Sequence, residues 1–284
     1  MKVILSRKGF NSAAGGVPSP ILPNGEMISL PIPDKQSSIL YSDIRWRNGD
    51  LGQLVCDLTN GRIRTDYRAH LDPDVRLGSI PRLPDWRPLF GQCGPAQGHL
   101  RNCGVGEGDV FLFFGLFRRV VVRDGRFVWD RTSRPLHVIW GWLQVGSVLA
   151  VDPTASVPAW AQYHPHCALR DEKSNTLYTA ARNLVLPGMS ATGLPGSGVF
   201  TCFSDRLQLT DTEADRHVQW RLPLWLFPER GKTPLSFHSD LGRWSKRGDA
   251  ALLRCVDRGQ KFVLDETPYP EMARWLTQLI QSDG

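Results

Sequence analysis

His70, Asp72 and Asp74 stand at alternate positions in the segment HLDPD. In an extended chain alternate residues share one face, and Pro73 biases Asp72 toward that conformation. Two carboxylates held close shift each other's pKa and divide acid and base roles. Beside a histidine they orient water or steady a developing positive charge, although the same residues also suit a solvated turn closed by Asx hydrogen bonds. A second group, His164 and His166, flanks Pro165 in HPH. The pair could hold a metal with Asp72 or Asp74, but no HExxH or cysteine cluster supports one, so none is expected, and phosphate contact and acid–base work fit it equally. The third group lies in FGQCGPAQGHLRN (90–102). Gln92 and Gln97 each pair a donor with an acceptor, which suits a base edge. His99 follows closely, and Gly91, Gly94 and Gly98 permit close approach. A buried polar network under a loop is the competing reading.

These groups need elements to hold them. The run Val3–Leu5 reads as a strand that delivers Ser6, Arg7, Lys8, Asn11 and Ser12 into a loop containing Gly15-Gly16 and stiffened by Pro18, Pro20, Pro31 and Pro33. Cationic and amide groups at a strand end suit an anionic or hydrogen-bonding ligand; a structural edge wrapped over the core is the alternative. GDVFLFFGLFRRVVV (108–122) is the clearest strand, turned at Asp124-Gly125 into RFVWD (126–130). LHVIWGWLQVGSVLAV (136–151) follows as a second long strand, in which Gly141 and Gly146 mark bulges, bends or close approaches. Phe114, Arg118 and Trp140 sit on these two runs. Aromatics interleaved with arginines either stack bases and hold phosphates or form a core with a basic rim. NTLYTA (175–180) suggests a short strand, GQLVCDLT (52–59) a short strand or helical turn, and PAQGHLRNCGV (95–105) a short helix. In YPEMARWLTQLIQ (269–281), Met272, Leu276 and Ile280 recur at helical spacing, which predicts a C-terminal helix. The fold class expected is α+β: a curved, mixed, partly barrel-like sheet with peripheral helices and long loops, in one domain over 1–284.

Thirty-four Lys and Arg against 28 Asp and Glu give a net charge of +6, and there are ten tryptophans. This mild basicity permits nucleic-acid binding without requiring it. Six scattered cysteines form no CxxC pair, and the start MKVILSRKG lacks a signal-like apolar region. A cytoplasmic protein with reduced thiols and no membrane span is expected. GLPGSG (193–198) lacks the strand-to-helix setting of a dinucleotide site, so no cofactor is expected either.

Taken in order, SRKGFNS, GGVPSPILPNG, SLPIPD, HLDPD, FGQCGPAQGHL, GDVFLFFGLFR, HVIWGWLQVG, HPH, NTLY and GSGVF resemble the nucleotide modification associated domain of the third type, over residues 1 to about 240. The resemblance implies a DNA-directed role in bacterial or phage systems that modify or attack bases, with modified DNA as the ligand and proteins of a defence or base-modification system as further partners. The expectation that follows is a glycosylase-like enzyme excising a hydroxymethylated or glucosylated base. In it, Asp72 and Asp74, with His70 and His99, carry catalysis. Asn11, Ser12, Gln92, Gln97, Phe114 and Trp140 hold the base, and Arg7, Lys8, Arg118, His164 and His166 hold phosphate. The alternatives are a non-catalytic reader of modified DNA or nucleotide and an enzyme that builds or alters a modified base.

Overall fold

The computed structural model describes every residue except 48, 190–191, 230–231, 257–260, 266, 268 and 282–284. Nine strands form the main sheet: β1 (Lys2–Arg7), β2 (Ser19–Ile21), β3 (Leu89–Gln92), β4 (Val110–Arg123), β5 (Arg126–Trp129), β6 (Leu136–Ala150), β7 (Thr176–Ala180), β8 (Ser197–Val199) and β9 (Lys261–Asp265). Its path runs β9-β1-β4-β6-β7-β3, with β8 added to β6 and with β2 and β5 added to β4. Pairing is antiparallel except that β1 and β2 run parallel to β4. The sheet is open: among the described residues the path ends at β9 and β3, which do not pair, so the expected partial barrel is not closed. Among the described residues, the outer side of β3 takes a single bridge, from Asp74 to Leu89.

Both glycine signals in β6 correspond to bulges. Register against β4 shifts between Ile139 and Gly141, and against β7 between Val145 and Ser147. A Cβ on Gly146 would press the backbone at Ala181, and one on Gly141 the Gly198 carbonyl. The first bulge carries Trp140, whose ring stacks on Phe113 with centroids 5.6 Å apart.

Helix α1 (Leu51–Leu58) settles the ambiguity of 52–59. Asp50 caps it, accepting from the Gly52 and Gln53 amides at 2.7 and 3.3 Å, a contact worth about 1 kcal/mol. Helix α2 (Gly94–Asn102) follows β3, and α3 (Met272–Gln281) buries Met272, Leu276 and Ile280 as its spacing predicts. A short ladder pairs Ile32–Pro33 with Ala69–His70, and a three-stranded sheet joins Gln219–Pro223, Ala250–Arg254 and Trp244–Arg247. No helix is long and apolar enough to cross a membrane, among the described residues. No disulfide joins any of the six cysteines.

Candidate functional site

Four segments distant in sequence converge on one carboxylate. The ladder at Ala69–His70 leads directly to Asp72, whose backbone amide donates to the His70 carbonyl at 2.8 Å. Two residues on, Asp74 and Leu89 exchange backbone hydrogen bonds of 2.9 and 3.0 Å, which ties this segment to β3. The Asp72 side chain is fully buried. Its Oδ1 accepts the Gly91 amide at 2.6 Å, and its Oδ2 accepts from Lys8 Nζ at 2.5 Å. Lys8 leaves the end of β1 and crosses the Phe90 ring, 4.4 Å from its centroid.

Three imidazoles complete the surround. His70 Nε2 and His166 Nε2 each lie 3.9 Å from Asp72 Oδ2, and His164 Nε2 lies 3.4 Å from Oδ1. The last contact is too poorly aligned to be a hydrogen bond, and His164 Nε2 is buried without a partner. Burial opposes ionisation of Asp72. The Lys8 charge, with the His164 and His166 rings beside the carboxylate, outweighs it and holds the carboxyl well below its usual range. Burial pushes His166 down to about 3, against the pull of Asp72, so this imidazole is neutral.

The tautomers follow from what each ring's other nitrogen meets. His70 Nδ1 lies 2.7 Å from Asp34 Oδ2, and His166 Nδ1 lies 2.6 Å from Asn175 Oδ1. Asn175 is oriented by its Nδ2, which donates to the carbonyls of His166 and Leu169 at 2.8 and 2.9 Å. Both partner oxygens only accept, so each Nδ1 carries a proton, and on the neutral ring Nε2 keeps the lone pair. His164 is reversed: its Nδ1 accepts the His166 amide at 3.3 Å, which puts its proton on Nε2. Gly91 is required by packing, since a Cβ there would sink into the His166 ring.

Asp74 has a different setting. Arg82 grips it bidentately at 2.6 and 2.7 Å, the Tyr163 hydroxyl donates at 2.5 Å, and Trp86 Nε1 donates to Tyr163 at 2.7 Å. Asp72 and Asp74 both line one pocket, with Trp46, Trp140, Phe200, Ser29, Arg45 and Arg76 among its other walls. The Trp140 indole N–H is buried and has no partner.

The remaining sequence candidates go elsewhere. Phe114 lies in the core against His137, Trp220 and Phe262. Gln97 pairs with the Tyr178 hydroxyl inside the protein. Gln92 sits beside Gly91 and has a buried Oε1 without a partner. His99 contacts Ser236 and Cys103. Asn11 accepts from the Ala13 and Ala14 amides as a turn residue, and Ser12 is exposed in that turn. Arg118 binds the carbonyls of Ser133 and Asp130. Arg7 is half-buried, and its charge helps depress His137 and Lys261. The sequence reading missed Asp34, Asn175 and Lys261. Lys261 is buried with its ammonium 2.8 Å from Ser6 Oγ, and burial together with Lys8 and Arg7 lowers its pKa well below normal. Asp34 and Asn175 carried a signal as polar ends of the blocks SLPIPD and NTLY; a lysine inside KFVLD carried none.

The family model described as nucleotide modification associated domain 3 matches residues 2–265. No protein of curated function and no solved structure matches the chain.

Proposed function

We propose a function from two premises: the chain belongs to the nucleotide modification associated domain 3 family, and Asp72, whose buried carboxylate is ringed by Lys8 and three histidines, also lines a pocket with two tryptophans, the histidines and Lys8 lying behind that wall. The reading is a DNA-directed hydrolase that releases a modified base, hydroxymethylated or glucosylated, by cleaving its N-glycosidic bond. The base leaves the duplex stack and enters the pocket, where Trp140 or Trp46 offers a stacking face and Arg45 and Arg76 offer charge for phosphate. The single observation that carries the reading is Asp72: a buried carboxylate kept ionised is suited to stabilising the positive charge that develops on the sugar as the bond breaks. Water adds to the anomeric carbon, the electron pair of the broken bond departs with the base, and the base takes up a proton. The proton lost by the water is accepted by the Nε2 lone pair of His70.

A non-catalytic reader of modified DNA is the second reading. It is favoured by the unpartnered Trp140 N–H, a donor that would recognise a base without reacting. One experiment separates the two. The protein is incubated with DNAs carrying cytosine, 5-hydroxymethylcytosine, its glucosylated form, or modified thymines and guanines, and free base and alkali-labile sites are measured. Base released from a modified DNA, and lost in Asp72→Asn with binding retained, supports the hydrolase. Selective binding without product selects the reader.

A further inference from the structure

His70 Nε2, His166 Nε2 and Asp72 Oδ2, three atoms that carry lone pairs, lie within 4.8 Å of one another. Electron pairs so arranged repel unless a cation stands among them. Lys8 Nζ now partly fills that role, 2.5 Å from Oδ2. A flexible ammonium on a four-carbon stem is a replaceable cation.

We propose that this point is a binding site for a divalent transition-metal ion, Zn²⁺, Fe²⁺ or Mn²⁺, held by His70 Nε2, Asp72 Oδ2 and His166 Nε2. Lys8 swings away as the ion enters. Two imidazoles and one carboxylate are a recurrent ligand set for such ions, and three protein ligands leave positions open for water or a substrate oxygen. The surrounding bonds support it. Asp34 and Asn175 fix both rings through Nδ1, the outer arrangement that orients metal-binding histidines. The Gly91 amide holds Asp72 Oδ1 and leaves Oδ2 as a single donor. Metal–ligand bonds of about 2.0–2.2 Å put neighbouring donors roughly 3–3.5 Å apart, so the trio closes by about 1 Å around the ion. The sequence left HPH free to meet Asp72 or Asp74 at a metal but could not single out this trio, because no spacing rule joins HLDPD to HPH.

The inference builds on the reading of this site as the reactive centre: a bound ion would hold and acidify the attacking water in place of a free imidazole. Its test does not depend on turnover. Chelator-stripped full-length protein is titrated with Zn²⁺, Mn²⁺ and, without oxygen, Fe²⁺, using calorimetry and metal analysis after dialysis. A Cys103→Ser background removes the His99–Cys103 pair as an adventitious zinc site. One ion per chain is expected. His70→Ala and His166→Ala should each weaken binding at least about 10-fold, and Asn175→Ala by about 10-fold or more. Lys8→Met should bind more tightly than wild type because the competing charge is gone, and the ion should raise its melting temperature more than that of wild type. Absence of binding in both wild type and Lys8→Met overturns the proposal, as does an ion indifferent to both His70→Ala and His166→Ala. An ion bound at this site without base release leaves the site standing and removes the hydrolase. Base release at full rate from stripped protein that takes up no ion does the reverse.

Discussion

Asp72 and Asp74 are two residues apart, equally buried, and walls of one pocket, yet their surroundings differ in kind. Asp74 meets a planar guanidinium along both oxygens and a phenol that is itself held by an indole. Every strong partner there is saturated and rigid. Asp72 meets one lysine and one backbone amide, and is then faced by two imidazole nitrogens with unused lone pairs and by a third whose N–H finds no aligned acceptor. A saturated cluster holds a fold; an incompletely saturated one has capacity left for a substrate or an ion. The difference between two residues of HLDPD is therefore one of satisfaction, which their shared burial conceals.

The largest test of this contrast is to break the Asp74 grip. Arg82→Met leaves a buried carboxylate unpaired and should cost about 3–5 kcal/mol in urea unfolding. A loss near zero would remove the structural assignment. Asp72→Asn should do the opposite. It keeps an acceptor for the Gly91 amide, so stability should change by no more than about 2 kcal/mol, while base release should fall at least about 100-fold. Equal stability losses in the two variants would erase the distinction drawn above.

The two variants have to be compared near neutral pH, because other buried groups dominate acid stability. Burial pushes His238 from 6.5 down to about 4. The unfolded chain takes up that proton near pH 6.5 and the folded one does not until about 4, so stability falls as pH drops through this window. His238 alone should account for about 3 kcal/mol of the loss. His137, lowered well below 6.5 mainly by burial, acts with the same sign. Unfolding free energies at pH 7, 5.5 and 4 check this, and a flat profile would contradict neutral burial of these rings. The smallest effect is expected at Trp140→Phe. It removes an unsatisfied N–H and retains the stacking ring, so stability should hold within about 1 kcal/mol while affinity for the ligand base drops.

Much of the scaffold could be read in the chain. The β4–β5 hairpin follows from a long apolar run and an Asp-Gly turn, the β6 bulges from Gly141 and Gly146, and α3 from four-residue spacing. The sheet's failure to close could not be read, because closure depends on how strands distant in sequence meet. Phe114 looked ligand-facing because β4 is covered on both faces over Val110–Gly115, where alternation carries no direction, and Gln97 because an amide that suits a base edge suits the Tyr178 hydroxyl equally. Lys8, His70, Asp72, His164 and His166 were each visible as reactive types, and HPH was open to meeting Asp72 or Asp74, but the joining of all five at one point could not be read. Lys8 and Asp72 are 64 positions apart, and no local rule links them.

The place of β1 in the sheet bears on biosynthesis. This strand, which carries Lys8 at its end, lies between β4 and β9, and Ser6 bonds to Lys261 across 255 positions of chain. A ribosome releases β1 long before it makes β9, so the strand waits with one edge bare while most of the protein is synthesised. Pairings of such long range form slowly. The strand that leads to Lys8 therefore gains its second neighbour only near the end of synthesis, and a fragment ending before residue 261 would leave that edge of β1 unpaired.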